Sequence, residues 1–134
     1  KPFWICYAWA QRVLDEFFAQ GDEEKALGLP VGMLNDREKV NRPGSQHGFI
    51  NFLVSPLVKT TVLLFPMFTE LHVEMSNNLE KWRNLWLKEA HPSEADLSKK
   101  DEQVWAVRVM SDQLQRRKGH TDWKSWQTLQ RAME

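Results

Sequence analysis

The sequence predicts an all-α fold, because apolar residues recur at intervals of three and four and no run alternates as a strand would. Near the start of the chain, Trp9, Val13 and Phe17 lie four residues apart. Of the 134 residues, 42% are hydrophobic and seven are tryptophan, which supplies enough apolar material for a buried core. We expect five or six helices, with no internal repeat and no low-complexity segment.

The first predicted helix covers residues 3–20, and Gly21 follows its last apolar residues closely enough to end it. Residues 22–27 have the length of one short helical turn. Residues 28–44 contain glycine, proline and asparagine too often for a long element, which predicts a loop. This loop separates the first helix from the remaining helices.

Ser45 is the predicted N-cap of the next helix, because its hydroxyl can accept a hydrogen bond from a free amide of the first turn. Pro56 is expected to kink this helix and Pro66 to end it, since proline has no backbone donor. From Met67 onward, the spacing predicts a helix of about six turns. Its apolar face is predicted to carry Phe68, Leu71, Met75, Leu79, Trp82 and Trp86. Its opposite face is predicted to carry Glu70, Glu74, Asn78, Lys81 and Lys88.

The last third of the chain predicts two further helices. Ser98 and Asp101 have the spacing of a capping box, with aspartate in place of the usual glutamate. Gly119 is predicted to end that helix, and Thr121 to cap a final one. Two tryptophans on one side of the final helix either fold back on the domain or contact a partner.

The bulk composition excludes several classes of partner. The 18 basic and 18 acidic residues cancel, so no overall field favours nucleic acid or an anionic membrane. Residues 49–68 are apolar, but Pro56, Lys59 and Pro66 interrupt them, so no membrane span is predicted. The single cysteine, Cys6, excludes an internal disulfide and suits a reducing compartment. An intracellular, cytoplasmic location is therefore expected.

The residues give no sign of a self-contained catalytic or metal centre. The histidines lie 19 or more residues apart, and none has a partner at metal-ligand spacing. They are His47, His72, His91 and His120. The sequence contains neither a nucleophile elbow nor a glycine-rich phosphate loop. We therefore predict no catalytic residue, no metal ligand and no cofactor within this chain.

One segment has the chemistry of a base-binding site. Gln46 and Phe49 lie three residues apart at the start of a predicted helix, and they project from one face. An amide carries a donor and an acceptor together, which matches the edge of a purine, and an aromatic ring stacks on its flat face. Val13 would close such a slot from the opposite side. The alternative is a glutamine that caps a loop and a phenylalanine of the core, and the residues alone favour this alternative.

Four blocks of sequence resemble a known family. They are Glu16-Phe17-Phe18-Ala19-Gln20-Gly21-Asp22, then Leu29-Pro30-Val31, then Asp36-Arg37, then Ser45-Gln46-His47-Gly48-Phe49-Ile50. In order and spacing they are similar to the C-terminal half of the class I 3′,5′-cyclic nucleotide phosphodiesterases, an all-α family. The resemblance runs without a gap to about residue 52 and continues to about residue 88. We therefore divide the chain into a phosphodiesterase-like helical segment, 1–90, and an unassigned helical tail, 91–134.

The resemblance implies a role for six residues in binding a nucleotide base. Gln46 matches the purine-binding glutamine of the family, Phe49 the aromatic wall of the base clamp, and Val13 the aliphatic residue opposite. The further pocket-lining positions are Trp9, Leu34 and Ser45. Cys6 stands where some members have a tyrosine that steadies the glutamine amide, so the orientation of this amide, and hence adenine or guanine, is left open.

The resemblance also implies that the chemistry lies elsewhere. A complete parent domain would hold two divalent metal ions, of the zinc or magnesium type, on histidines and aspartates that have no counterpart here. The first hypothesis is thus the base-recognition segment of an enzyme that hydrolyses cyclic AMP or cyclic GMP. The second is a truncated structural subunit, in which a protein partner or the missing N-terminal half covers the first helix. The third is a non-hydrolysing nucleotide sensor.

Overall fold

The all-α prediction is confirmed. The computed structural model describes the backbone of residues 1–133 and the side chains of residues 1–117, and all regular structure there is helical. The α-helices are α1 (Phe3–Ala26), α2 (Arg42–Phe49), α3 (Ser55–Leu64), α4 (Thr69–Ala90) and α5 (Glu94–Met133). A π-helical turn, Ile50–Val54, joins α2 to α3 without a break. The described chain therefore forms four helical rods, so the predicted count of five or six is slightly too high.

Helix α1 is longer than predicted because Gly21 does not end it. The helix continues through residues 22–27, the predicted short turn, and ends at Ala26. It stops before Gly28, whose φ of 67° is the left-handed conformation that favours glycine. Gly21 is instead a point of close approach, since a Cβ atom there would lie 2.0 Å from the carbonyl oxygen of Asn35.

Helix α2 begins four residues earlier than predicted. Its N-cap is Asn41, whose Oδ1 accepts a 2.7 Å hydrogen bond from the backbone N–H of Gly44. Ser45 lies inside the first turns, where its hydroxyl donates to the carbonyl of Arg42 at 2.8 Å. The prediction of Ser45 as the cap is therefore wrong, and Asn41 satisfies one of the free amides of the helix start.

The two prolines have different consequences for the backbone. Pro56 lies in the first turn of α3, directly after the π-helical turn, where its missing N–H interrupts the hydrogen-bond ladder. Pro66 follows the end of α3 and begins a 3₁₀ turn, Pro66–Phe68, that leads into α4. The predicted helix break at Pro66 is confirmed.

The core is built around α4. Leu79 and Trp82 are fully buried, and the rings of Phe3 and Tyr7 pack on Trp82 with centroids 5.2 and 5.5 Å away. Four of the six predicted apolar positions are buried, namely Met75, Leu79, Trp82 and Trp86. The other two, Phe68 and Leu71, are 43% and 49% exposed. Asn78 was predicted on the outer face, but it is buried and donates to the carbonyl of Lys1.

Helix α5 runs antiparallel to α4. Arg83 Nε donates to Asp101 at 2.6 Å, and nearer the start of α4 the ring of His72 contacts the hydroxyl of Ser111 at 2.7 Å. Val107, between these two contacts, is buried in the same interface. This interface covers α4 along its length. The division of the chain into two parts at residue 90 stays a prediction.

The boundaries of α5 also differ from the prediction. It begins at Glu94, and the capping box is Ser93 with Asp96: the backbone N–H of Asp96 donates to Ser93 Oγ at 3.2 Å. The predicted box at Ser98 is therefore wrong. The helix runs on to Met133, so neither the stop at Gly119 nor a new cap at Thr121 occurs. The two tryptophan side chains of the tail, Trp123 and Trp126, lie outside the described side chains.

The corrected cap gives the first testable prediction. Ser93→Ala is expected to lower the free energy of unfolding by about 1 kcal/mol, because it removes the cap of α5. Ser98→Ala, the matched control inside the helix, is expected to change it by only a few tenths of a kcal/mol. Urea denaturation of both variants measures the difference. A larger loss for Ser98→Ala than for Ser93→Ala would contradict this account of the helix start.

The continuous helical rod formed by α2, the π-helical turn and α3 is apolar, which raises the question of a membrane span. By length and composition alone, Arg42–Leu64 could cross a bilayer, although core helices of soluble proteins meet the same criterion. Ile50 and Val62 are buried in the fold, while Lys59 stands out of it as the one charged side chain of α3. The absence of a membrane span stays a prediction.

Candidate functional site

A groove of about 480 Å³ lies between α1 and α2, with the loop after α1 along its edge. Most of its lining is apolar, as is usual for small-molecule sites. It contains all six positions singled out from the sequence: Trp9, Val13, Leu34, Ser45, Gln46 and Phe49. The structure therefore brings together residues that lie up to 40 positions apart along the chain.

The two long walls of the groove come from different helices. Trp9, Val13 and Phe17 recur every four residues of α1, so they share one face of that helix. Phe49 comes from the last turn of α2 and lines the same groove. These walls are open to solvent, with Trp9 58%, Val13 44% and Phe49 52% exposed. The groove thus presents apolar surfaces from two helices to anything that enters it.

Gln46 supplies the amide of the groove. It lies on α2, three residues before Phe49, and it is partly buried. Within the described residues, no hydrogen bond holds its amide in a fixed orientation. Cys6 lines the same groove, and a thiol is only a weak donor and acceptor. The Gln46 amide can therefore present either its oxygen or its nitrogen to a ligand.

The wall that carries Leu34 is fastened to α1 by Glu24. The Glu24 carboxylate accepts hydrogen bonds from the backbone N–H of Gly32 at 2.8 Å and from the side-chain amide of Asn35 at 3.1 Å. The Gly32 hydrogen bond, followed by those of Gln20 and Asn35, holds the pKa of Glu24 below its ordinary value. Leu34 lies between these two anchored residues, so its position is set by the same carboxylate.

A second anchor lies just beyond Leu34. Asp36 is buried, and Lys25 on α1 donates to it at 2.8 Å. This hydrogen bond is the main reason that the pKa of Asp36 falls to about 2; the backbone N–H of Glu38 and the ammonium of Lys39 act in the same direction. Arg37 also pairs with Asp22 on α1. A row of ion pairs therefore joins the loop to α1 and stabilises the edge of the groove.

Sequence reasoning missed several members of this site. Phe17, Lys1 and Asn78 also line the groove, although they were assigned no role in it. Phe17 could have been included from its four-residue spacing with Val13. Neither Lys1 nor Asn78 carries a local signal, because their place in the groove depends on how α4 packs against the start of α1. The anchors Glu24 and Asp36 were missed as well, because their partners depend on the path of the loop after α1.

The residues present do not suit a divalent metal ion. Among the described residues, no three histidine, cysteine, aspartate or glutamate side chains lie close enough to share one. The described residues that line the groove include no carboxylate, and Asp15 and Glu24 of α1 are paired with Arg42 and with the amide of Gly32. This part of the chain therefore offers a binding surface and no donor set for metal-assisted chemistry.

Comparison with known proteins places this chain in a family. Residues 1–75, more than half of the chain, match the model of the 3′5′-cyclic nucleotide phosphodiesterase family. That match contains α1, the fastened loop and the helix with Gln46 and Phe49. The chain therefore belongs to the 3′,5′-cyclic nucleotide phosphodiesterases. No solved structure is significantly similar to it.

Individual relatives agree with this assignment. The human high affinity cGMP-specific 3′,5′-cyclic phosphodiesterase 9A is 39% identical over 74 residues, which is 55% of this chain and 12% of the relative. The probable 3′,5′-cyclic-AMP phosphodiesterase pde-4 of Caenorhabditis elegans is 34% identical over 100 residues, 74% of this chain and 14% of the relative. The human high affinity cAMP-specific and IBMX-insensitive 3′,5′-cyclic phosphodiesterase 8A is 35% identical over 86 residues, 63% of this chain and 10% of that relative. The chain thus spans a small part of the length of these relatives.

Proposed function

We propose that the groove between α1 and α2 recognises the base of a 3′,5′-cyclic nucleotide, and that the chain is the C-terminal base-recognition segment of a phosphodiesterase. The observation that carries this proposal is the convergence of six residues, chosen from the sequence for this role, on one groove. Family membership supports cyclic nucleotides as the class of ligand. The groove volume of about 480 Å³ is also within the range of sites that hold a molecule of this size.

The chemistry of the groove suits a purine. The Gln46 amide can form two hydrogen bonds to the base edge, and both are strong enough to orient the ring. Phe49 offers an aromatic face for stacking from α2. Val13 offers an aliphatic surface from α1, so a flat base would be enclosed between two helices. Leu34, fixed by the anchored loop, would limit how far the base can slide along the groove.

The base itself is not selected by Gln46 alone. Guanine presents an acceptor and a donor where adenine presents a donor and an acceptor, so the two bases need opposite amide orientations. The amide of Gln46 has no fixed partner among the described residues, which is compatible with either base. We accordingly include both cyclic GMP and cyclic AMP in the proposal.

Hydrolysis would require groups that the described residues do not contain. In this proposal, the parent enzyme cleaves the cyclic phosphodiester to give the 5′ monophosphate. It would use two divalent metal ions of the zinc or magnesium type. The described side chains bind and orient the base, and they exclude water from its faces. Turnover of a cyclic nucleotide by this chain alone is not expected. We also propose an intracellular location.

Removal of the Gln46 amide tests the proposal. Gln46→Ala is expected to weaken binding of cyclic GMP and of cyclic AMP by about tenfold or more, because two hydrogen bonds to the base are lost. Asn51→Ala, which removes a similar amide from the π turn outside the groove, is the matched control and should leave both affinities unchanged. Isothermal titration calorimetry measures these affinities. Equal affinities for wild type and Gln46→Ala would defeat the base-recognition role.

A structural role is the second candidate, and the exposed face of α1 favours it. Trp9, Val13 and Phe17, on one face of α1, are 58%, 44% and 39% exposed, which is a large apolar area for a free helix surface. In this alternative the chain is a phosphodiesterase-like subunit whose α1 face is covered by a protein partner. Sedimentation of the isolated chain distinguishes the two: a cooperatively folded monomer that binds cyclic nucleotide supports base recognition, and a chain that associates without binding nucleotide supports the subunit.

A further inference from the structure

Helix α2 has a second cleft on the side away from the groove. This cleft has a volume of about 340 Å³ and lies between α2 and α5, with His47, Trp86 and Lys100 among its lining residues. Gln46 and His47 are neighbours in sequence and line different clefts. Helix α2 is thus the wall between the proposed base site and the start of α5.

His47 connects α2 to α5 through a hydrogen bond. Its side chain is completely buried, and its Nδ1 lies 3.2 Å from Nζ of Lys100. An ammonium group only donates, so Nδ1 must accept and the ring is neutral with its proton on Nε2. Burial, then the charges of Lys100 and Arg83, lower the pKa of His47 to about 4. The contact is therefore a hydrogen bond from a cation to a neutral ring at ordinary pH.

Lys100 is itself held by α4. Its Nζ lies 4.8 Å from the centre of the Trp86 ring, within cation–π distance. The same tryptophan touches α2, since a Cβ atom added to Gly44 would lie 3.0 Å from Trp86 Cδ1. Gly44, His47, Trp86 and Lys100 therefore form one contact unit that joins three helices, which we call the α2 clamp.

We infer that Lys100 is a positioning residue for the groove, which sets the rotation of α2 through His47 and thereby aims Gln46 and Phe49. Successive residues of a helix are about 100° apart, so any rotation of α2 that withdraws His47 from Lys100 also turns Gln46 relative to α1. The meaning of this role for nucleotides rests on the proposed function; the effect on groove geometry does not. Because α5 lies beyond residues 1–75, the clamp uses a helix outside the part that matches the family model.

The test uses Cys6 as a reporter of groove geometry. This free thiol is the only cysteine of the chain and it lines the groove on α1, opposite α2. Lys100→Met keeps the length of the side chain and removes its charge, so α2 should loosen and Cys6 should react several-fold faster with a soluble disulfide reagent. Lys100→Arg keeps the cation over Trp86 and should restore the wild-type rate. In the NMR titration of the His47 ring, Lys100→Met should move its pKa upward from about 4, because one of the charges that lower it is gone.

Two controls separate positioning from general loosening of α5. Lys99→Met removes a neighbouring charge of the same cleft, whereas the hydrogen bond to His47 comes from Lys100. Arg108→Met breaks the ion pair of α5 with Glu80 on α4 and leaves α2 untouched. Both should leave the rate of Cys6 modification unchanged. His47→Leu removes the same contact from the α2 side, so it should also speed the modification of Cys6. It provides a second test in case Lys100→Met folds poorly.

The outcomes are distinguishable from those of the proposed function. Faster Cys6 modification in Lys100→Met and His47→Leu, with a several-fold loss of cyclic nucleotide affinity, supports the clamp and the base site together. The same change in Cys6 with no nucleotide binding to the wild type supports the clamp and defeats the base site. An unchanged Cys6 rate in both variants, or an equal change in Arg108→Met, would overturn the positioning role of Lys100.

Discussion

Replacement of Trp82 by alanine is expected to lower the free energy of unfolding by about 3–5 kcal/mol, a large part of the stability of a small domain. Trp82 is 0% exposed, and it is the surface on which the first turns of α1 rest. The rings of Phe3 and Tyr7 contact it from α1, Tyr7 nearly parallel at an angle of 17°. The loss of this ring would leave a large cavity between α1 and α4.

The matched control is the same substitution at an exposed tryptophan. Trp105 on α5 is 67% exposed, so Trp105→Ala should cost no more than about 0.5 kcal/mol. Trp82→Phe should cost less than Trp82→Ala, because the ring is partly kept and the buried Nε1 atom has no hydrogen-bond partner within the described residues. Denaturant unfolding followed by circular dichroism measures the free energy of unfolding of all three variants. Equal losses for Trp82→Ala and Trp105→Ala would contradict the position of the core.

Gly21→Ala is the second substitution with a large expected effect. An added Cβ would lie 2.0 Å from the carbonyl oxygen of Asn35 and 2.7 Å from its carbonyl carbon, so backbone must move. We expect a loss of about 1–3 kcal/mol or more, since overpacked sites relax only by displacing their neighbours. The segment displaced is the loop that carries Leu34, so the nucleotide affinity of the groove should fall as well.

Gly48 provides the matched control for Gly21. It also lies in a helix, but nothing stands within 4 Å of its added Cβ. Gly48→Ala should therefore stabilise the protein by up to about 1 kcal/mol, because alanine is the better helix former. Thermal unfolding should therefore show a lower Tm than wild type for Gly21→Ala and a higher Tm for Gly48→Ala. A Gly21→Ala protein as stable as Gly48→Ala would mean that the loop does not cross α1 at this point.

Periodicity was sufficient to predict the all-α class and the apolar faces of α1 and α4, although α1 buries Ala10, Leu14 and Phe18 and leaves the neighbouring stripe exposed at the groove. Trp9, Val13 and Phe17 needed only their four-residue spacing to be placed on one face of α1. The stripe of α4 was predicted too narrow, however. This helix packs against α1, α2, α3 and α5, so a polar residue such as Asn78 is also buried. A single sequence does not show how many neighbours a helix has.

Helix boundaries were harder to predict because the capping signals are repeated. Ser93 and Ser98 both precede an aspartate by three residues, so the local sequence offers two equivalent boxes. The structure uses the first, which lets α5 begin early enough for Lys100 and Asp101 to reach α2 and α4. Gly21 shows the same limit, since its local signal is a helix stop and its tertiary role is a close approach.

The members of the groove were predicted from the resemblance, and their surroundings were not. The family motifs pointed to Gln46 and Phe49, whose chemistry is visible in the side chains. Glu24 and Asp36 became evident only from the path of the loop, because each contacts residues 8 to 11 positions away. Such contacts leave no periodic signal in the sequence. The same is true of His47 and Lys100, which are 53 residues apart.

NMR chemical-shift mapping of the chain with cyclic GMP and with cyclic AMP shows whether the groove recognises the base of a cyclic nucleotide. We expect saturable shifts at Cys6, Val13, Gln46 and Phe49, and none with cyclic ribose phosphate, which lacks the base. If neither nucleotide gave a saturable shift, or if the shifts were confined to the cleft between α2 and α5, base recognition by the groove would be wrong.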